Sequence, residues 1–144
     1  LDEWMPGMPH YDNAVKRVKA AVASGGRLRG ILWHQGEADS VREDLANTYP
    51  ERFAKFAAAL RKDLKAERVT WMVGELGEFV ETRNESPFAR KVNEQLAGLA
   101  KSQKRTVFVS ARGLKDRGDS LHFDTDGFRE LGRRYGKAFL AVGR

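Results

Sequence analysis

Residues 30–39 read Gly30-Ile31-Leu32-Trp33-His34-Gln35-Gly36-Glu37-Ala38-Asp39. An apolar run from Gly30 to Trp33 stops abruptly, and polar or small residues take over at once. So short a run, bounded by glycine, reads as a strand. Two further runs have the same character: Val69-Thr70-Trp71-Met72-Val73 and Thr106-Val107-Phe108-Val109. All three are nearly continuous in hydrophobicity, as parallel strands buried on both faces are.

Helical spacing fills the intervals. Tyr11, Val15, Val18 and Val22 form one apolar stripe, stopped by Gly25-Gly26. Tyr49, Phe53, Phe56, Leu60 and Leu64 form a second. Phe88, Val92, Leu96 and Leu99 form a third, with Ser86 predicted as N-cap and Pro87 at the first helical position. Phe128, Leu131, Tyr135 and Phe139 form a fourth, capped by Asp124 or Thr125. Gly132 and Gly136 lie inside it, which predicts close packing against a sheet. The order α-β-α-β-α-β-α argues for a parallel sheet with helices on both faces. Three strands are few for a doubly wound sheet, so the opening strands are expected to be missing.

Composition narrows the function classes. The chain has 144 residues, 41% hydrophobic and 32% charged, which suits one folded domain. It has no cysteine, which excludes disulfides and thiolate chemistry. No apolar run approaches the roughly 20 residues of a membrane span, so no membrane partner is expected. The 26 basic and 20 acidic residues give a net charge of +6. These charges interleave along predicted helices, which reads as solvated faces rather than a nucleic-acid surface. The chain begins at Leu1 rather than Met, which is read as cleavage, excerption or fragmentation. The compartment stays open.

Ligands of open parallel sheets bind beyond the carboxyl ends of the strands. That rule selects His34-Gln35-Gly36-Glu37, Gly74-Glu75-Leu76-Gly77 and Asp119-Ser120-Leu121-His122-Phe123-Asp124. In a turn, the spacing of Asp119 and His122 lets the carboxylate reach Nδ1 and leaves Nε2 as a general base. The bland alternative is a capping Asp beside a surface His. Gln35 offers an N–H to a developing oxyanion, and Gly36 permits close backbone approach. Glu37 reads equally as loop support or catalytic support, while Asp39 and Ser40 read as caps. His34, Glu37, Asp119 and His122 would also suit a metal, but their spacing matches no specific motif, so no metal or other cofactor is expected. Trp4 and Met5 read as cover for the sheet edge.

The two polar blocks together resemble those of the sialate O-acetylesterase family, and of acetylxylan esterases in carbohydrate esterase family six, within the SGNH-hydrolase superfamily. Residues 30–39 match its W-H-Q-G-E-x-D block. Residues 119–124, with Gly127-Phe128-Arg129-Glu130-Leu131-Gly132, match its D-x-x-H-F block and last helix. The resemblance implies a flavodoxin-like three-layer α/β/α sandwich. It implies removal of acetyl groups from sugar hydroxyls through Ser-His-Asp and a covalent acetyl-enzyme. It makes His122 the base and Asp119 its orienting acid, puts Gln35 in an oxyanion block, and makes Glu37 a support for that loop. An O-acetylated carbohydrate is the implied partner.

The family's nucleophile lies in a G-Q-S-N segment near its N-terminus. Ser24, Ser40, Ser86, Ser102, Ser110 and Ser120 all lack that context. Residues 1–144 are therefore expected to be the C-terminal part of a single esterase domain. The nucleophile is expected outside the chain, the isolated chain inactive, and an N-terminal segment required as partner. The other reading is a fragment that binds carbohydrate or polyanion without catalysis.

Overall fold

The computed structural model describes residues 1–142. Four helices, α1 (Pro9–Ala23), α2 (Glu43–Leu64), α3 (Ala89–Ser102) and α4 (Thr125–Val142), alternate with three strands, β1 (Gly30–Trp33), β2 (Thr70–Gly74) and β3 (Thr106–Val109). The strands form one parallel sheet in the order β1-β2-β3. Gly30 pairs with Thr70, and Trp71 with Thr106.

Alternation along β2 divides the core, because successive side chains of a strand point to opposite faces. Trp71 and Val73 face α1, α2 and α3, in a cluster with Trp33, Phe53, Phe56, Leu96 and Leu99. Met72 faces α4, in a second cluster with Val109, Phe123, Leu131 and Tyr135. Buried aromatics dominate the first cluster. Trp33 meets Phe56 with ring centroids 4.8 Å apart, and Phe53 meets Trp71 edge-on at 5.2 Å. Each such side chain contributes about 1.5–3 kcal/mol by leaving water. Trp4 packs edge-on against Trp33 at 5.3 Å and joins this layer.

The α/β class and parallel sheet are those expected, but the picture of a sandwich lacking its opening strands is corrected. Helices lie on both faces of the three-stranded sheet, and Leu32 of β1 stays exposed. Two local expectations also change. Ser86 does not cap α3; Phe88 holds the cap position, with no side-chain cap bond. Gly132 and Gly136 do not serve close packing, since a Cβ at either would meet nothing within 4 Å. The close approaches lie elsewhere. A Cβ on Gly74 would fall 2.0 Å from the Tyr135 hydroxyl and 2.7 Å from His34 Nδ1. Asp124 does cap α4, its Oδ1 accepting the Gly127 N–H at 2.6 Å.

These spacings set opposite signs for chemically similar changes. Gly132→Ala and Gly136→Ala should each stabilise the protein by about 0.5–1 kcal/mol through helix propensity. Gly74→Ala should cost about 3 kcal/mol through overpacking. Urea unfolding midpoints at constant slope check all three.

Candidate functional site

The loop after β3 carries the sharpest geometry. Asp116 and Phe123 form an isolated antiparallel bridge. The Arg117 N–H donates to the His122 carbonyl at 3.0 Å, and the Asp124 N–H to the Lys115 carbonyl at 2.9 Å. The loop turns between these paired segments through Gly118 at φ 98° and Ser120 at φ 55°. Asp116 Oδ2 accepts the N–H groups of both, at 2.9 and 2.7 Å. The turn brings His122 Nδ1 to 2.7 Å from Asp119 Oδ2. Asp119 Oδ1 accepts the N–H groups of His122 at 2.8 Å and Leu121 at 2.9 Å. Arg117 Nε donates to Asp119 Oδ2 at 2.8 Å. The bonds from the His122 backbone, the His122 ring and Arg117 hold this carboxyl far below the usual carboxylate range. An ionised Asp119 only accepts, so Nδ1 donates and Nε2 presents its lone pair.

The loop after β1 forms the second cluster. His34 is largely buried; its Nδ1 has no hydrogen-bond partner, and its Nε2 lies 4.0 Å from Glu37 Oε1. Burial pushes the His34 imidazolium down, while the Glu37 charge pulls it back up. Glu37 Oε2 accepts the Gly36 N–H at 3.0 Å, an arrangement suited to loop support. Gln35 is held on both sides of its amide. Its Nε2 donates to Asp39 Oδ2 at 2.7 Å, and its Oε1 lies 3.2 Å from the Tyr49 hydroxyl. Tyr49 also donates to the Gln35 carbonyl at 2.9 Å and accepts from Trp33 Nε1 at 3.0 Å.

Two contacts join the clusters. The His34 ring meets Phe123, the residue after His122, with centroids 5.6 Å apart. The Tyr135 hydroxyl of α4 donates to the Trp33 carbonyl at 2.9 Å. The segment after β2 acts as a buttress. Glu75 Oε2 accepts from Ser110 Oγ at 2.6 Å and from the Ala111 N–H at 2.8 Å. Among the described residues, no group of three His, Asp or Glu side chains is placed to hold a metal, so the four-residue set named above does not converge. None of the hydrogen bonds recorded for His122 goes to a serine among the described residues.

Several contributors escape sequence reasoning. Asp39 is not a helix cap but a buried carboxylate, paired with Arg52 and also bonded by Gln35. Ser40 closes a local turn by donating to the Glu37 carbonyl at 2.6 Å. Asn93 of α3, buried, accepts the Leu76 N–H at 2.8 Å and donates to Glu81 Oε1 at 3.0 Å. Arg117 completes the Asp119–His122 pair. Only its position two residues before Asp119 offered a signal.

The family described as carbohydrate esterase, sialic acid-specific acetylesterase matches residues 1–141. A probable carbohydrate esterase of Arabidopsis thaliana is 29% identical over 141 residues, covering 98% of this chain and 51% of its own length. The crystal structure of that plant protein superposes with a TM-score of 0.86 at 27% identity, covering 97% of this chain and 56% of that one. The crystal structure of NanS superposes at 0.79 with 22% identity, covering 98% and 55%, and shows the fold alone. The chain thus spans about half the length of the relatives it matches.

These matches correct a linked set of expectations. They are that the chain is a C-terminal part only, that its opening strands are missing, that the nucleophile lies outside it, that the isolated chain is inactive, and that a separate N-terminal segment is its partner. They followed from the small number of strands and from the lack of one short motif. The family match instead runs through residues 1–141, and both superpositions take in nearly the whole chain.

Two measurements probe the β1 loop. Asp39→Ala strands Arg52 without its buried partner and should cost about 3 kcal/mol of unfolding free energy. His34 resists protonation when folded but not when unfolded, so the unfolded chain takes up more protons below about pH 6.5 and stability falls there. In His34→Gln, the drop in Tm between about pH 7 and pH 5 should be smaller than in the parent protein.

Proposed function

The chain belongs to the carbohydrate esterase, sialic acid-specific acetylesterase family, and on that premise we propose that it removes acetyl groups from carbohydrate hydroxyls. The observation that carries the reading is the 2.7 Å bond between His122 Nδ1 and Asp119. It leaves Nε2 as the basic atom at the strand-end edge, where parallel sheets place their chemistry.

In this reading Nε2 takes the proton of the hydroxyl that attacks the acetyl carbonyl. The carbonyl π electrons move to oxygen, giving a tetrahedral oxyanion. As that intermediate collapses, the bond to the sugar oxygen breaks and the imidazolium returns its proton to the departing sugar. A water, deprotonated in turn by Nε2, then attacks the acetyl ester left behind. Collapse of this second intermediate releases acetate and returns the proton to the hydroxyl. Asp119 fixes the tautomer and stabilises the imidazolium between those steps. Gln35 keeps one amide N–H beyond the one bonded to Asp39 to offer the oxyanion, and Glu37 holds the loop through the Gly36 N–H. Burial pushes the Tyr135 hydroxyl up, as does the Glu37 charge, so it remains a donor to Trp33 and keeps the two walls together. Membership of the SGNH-hydrolase superfamily belongs to the same proposal, as does the choice between acetylated xylan and acetylated sialic acid.

Acetate release from an O-acetylated sugar tests this. His122→Ala and Asp119→Asn should each lower kcat by about 10³-fold or more, with unchanged circular dichroism. Activity within tenfold of the parent in His122→Ala would remove the base from the mechanism. Binding of the acetylated sugar with no acetate released would favour a binding module instead.

A further inference from the structure

Tyr49 stands on α2, outside the polar loops, yet its hydroxyl ends at Gln35 of the β1 loop. The residue is fully buried, and its ring stacks on Phe53 with centroids 6.4 Å apart, so the hydroxyl is delivered to a fixed place. Three polar atoms meet it there. Trp33 Nε1 donates to it at 3.0 Å. The Gln35 main-chain carbonyl lies 2.9 Å away and Gln35 Oε1 3.2 Å away.

The chemistry of these partners leaves one arrangement. An indole N–H only donates, so it occupies a lone pair of the Tyr49 oxygen. The single O–H then turns to the two oxygens of Gln35, one on the main chain and one on the side chain. Burial pushes the Tyr49 hydroxyl up, so it keeps that proton. At the other end of the amide stands Asp39, which pairs with Arg52 and accepts from Gln35 Nε2 at 2.7 Å. A carboxylate offers no hydrogen, so it must face the amide nitrogen. An amide turned over would set its oxygen against that carboxylate and its nitrogen against the Tyr49 proton. Both ends of the amide are therefore specified, and one Nε2 hydrogen is left over. Gln35 is only half-buried, so that hydrogen is not sealed into the core.

We propose that Tyr49 is a positioning residue that fixes the direction of the uncommitted Gln35 N–H, and so preorganises the donor that meets the oxyanion. The proposal rests on the esterase reading for its catalytic meaning. An amide held by Asp39 alone pivots about one bond. Tyr49 supplies the second point of attachment and ties it to the main chain of the same residue. A donor already aimed needs no reorganisation as charge develops on the substrate oxygen. Misplacement by about 1 Å costs up to about 10²-fold in rate.

The experiment uses the full chain with Tyr49→Phe, Gln35→Ala and the double variant. Phenylalanine keeps the ring and its stacking and removes only the oxygen. Relaxation of the ¹⁵N-labelled Gln35 Nε2 group should give an order parameter of about 0.85 in the parent and below about 0.6 in Tyr49→Phe. In the same variant, kcat for acetate release from an O-acetylated sugar should fall about 10- to 100-fold, with KM within about twofold, because an oxyanion donor acts in the transition state. In the Gln35→Ala background, Tyr49→Phe should change kcat by less than about twofold, because its target is gone. A Tyr49 that merely stabilised α2 would lower kcat equally in both backgrounds and leave the Gln35 order parameter unmoved. Either result overturns the proposal. A mobile Gln35 amide in the parent protein overturns it as well, and that measurement needs no variant to fold. If the parent releases no acetate, the esterase reading falls, while the relaxation data still decide whether Tyr49 holds the amide.

Discussion

The hydroxyl of Tyr135 reaches across 102 residues of chain to the carbonyl of Trp33, and the rest of the molecule is arranged around that bond. Trp33 ends the first strand, where the ladder gives way to the polar loop. A buried carbonyl without a partner there would cost about 1–3 kcal/mol. Satisfying it from α4 fixes where the last helix crosses the sheet, and so where the preceding loop must lie. Gly74 is the concession that makes the bond possible, since any side chain at that strand end would occupy the space of the hydroxyl. Arg134, one residue before Tyr135, reinforces the docking by donating to the carbonyls of Ser110 and Arg112 at 2.9 and 3.0 Å.

Much of the fold was legible because its signals are local. The β1 and β3 runs match the observed strands, and β2 is shifted by one residue toward Gly74. Short apolar runs without a polar interruption have sharp limits, although only β2 is buried on both faces and Leu32 of β1 is exposed. The α2 stripe was equally plain, since Tyr49, Phe53 and Phe56 are all buried against the sheet. The α1 stripe was a weaker guide: Tyr11 is buried, but Val22 is exposed. Phe128 is likewise exposed, and its ring packs on Phe123 rather than entering the sheet core. Periodicity says which residues share a face, not how far a neighbouring element covers it.

The candidate site divides in the same way. Asp119 and His122 could be paired on paper because only Ser120 and Leu121 separate them in a turn. Asp39 could not be, because its partner Arg52 lies more than two turns into α2 and nothing in either neighbourhood announces the contact. Asn93 and Tyr49 act on the strand-end loops from helices whose sequence shows only amphipathicity. Gln35 shows the limit most clearly. Its identity suggested a donor to substrate, whereas the structure shows how much of its amide is already committed to Asp39 and Tyr49. The expectation of absent opening strands rested on a sheet of only three strands, a count that carries no information about the similarity that runs through residues 1–141.

The long reach of the Tyr135–Trp33 bond also orders the events of folding. Each strand pairing closes a loop less than half as long, and the entropy lost on closure grows with loop length. The strands and the α2–α3 layer can therefore condense before α4 docks. During that interval the chain holds a buried sheet and a formed β1 loop, but no second wall. The two halves of the site meet last, and a refolding population gains its burial before it gains its chemistry.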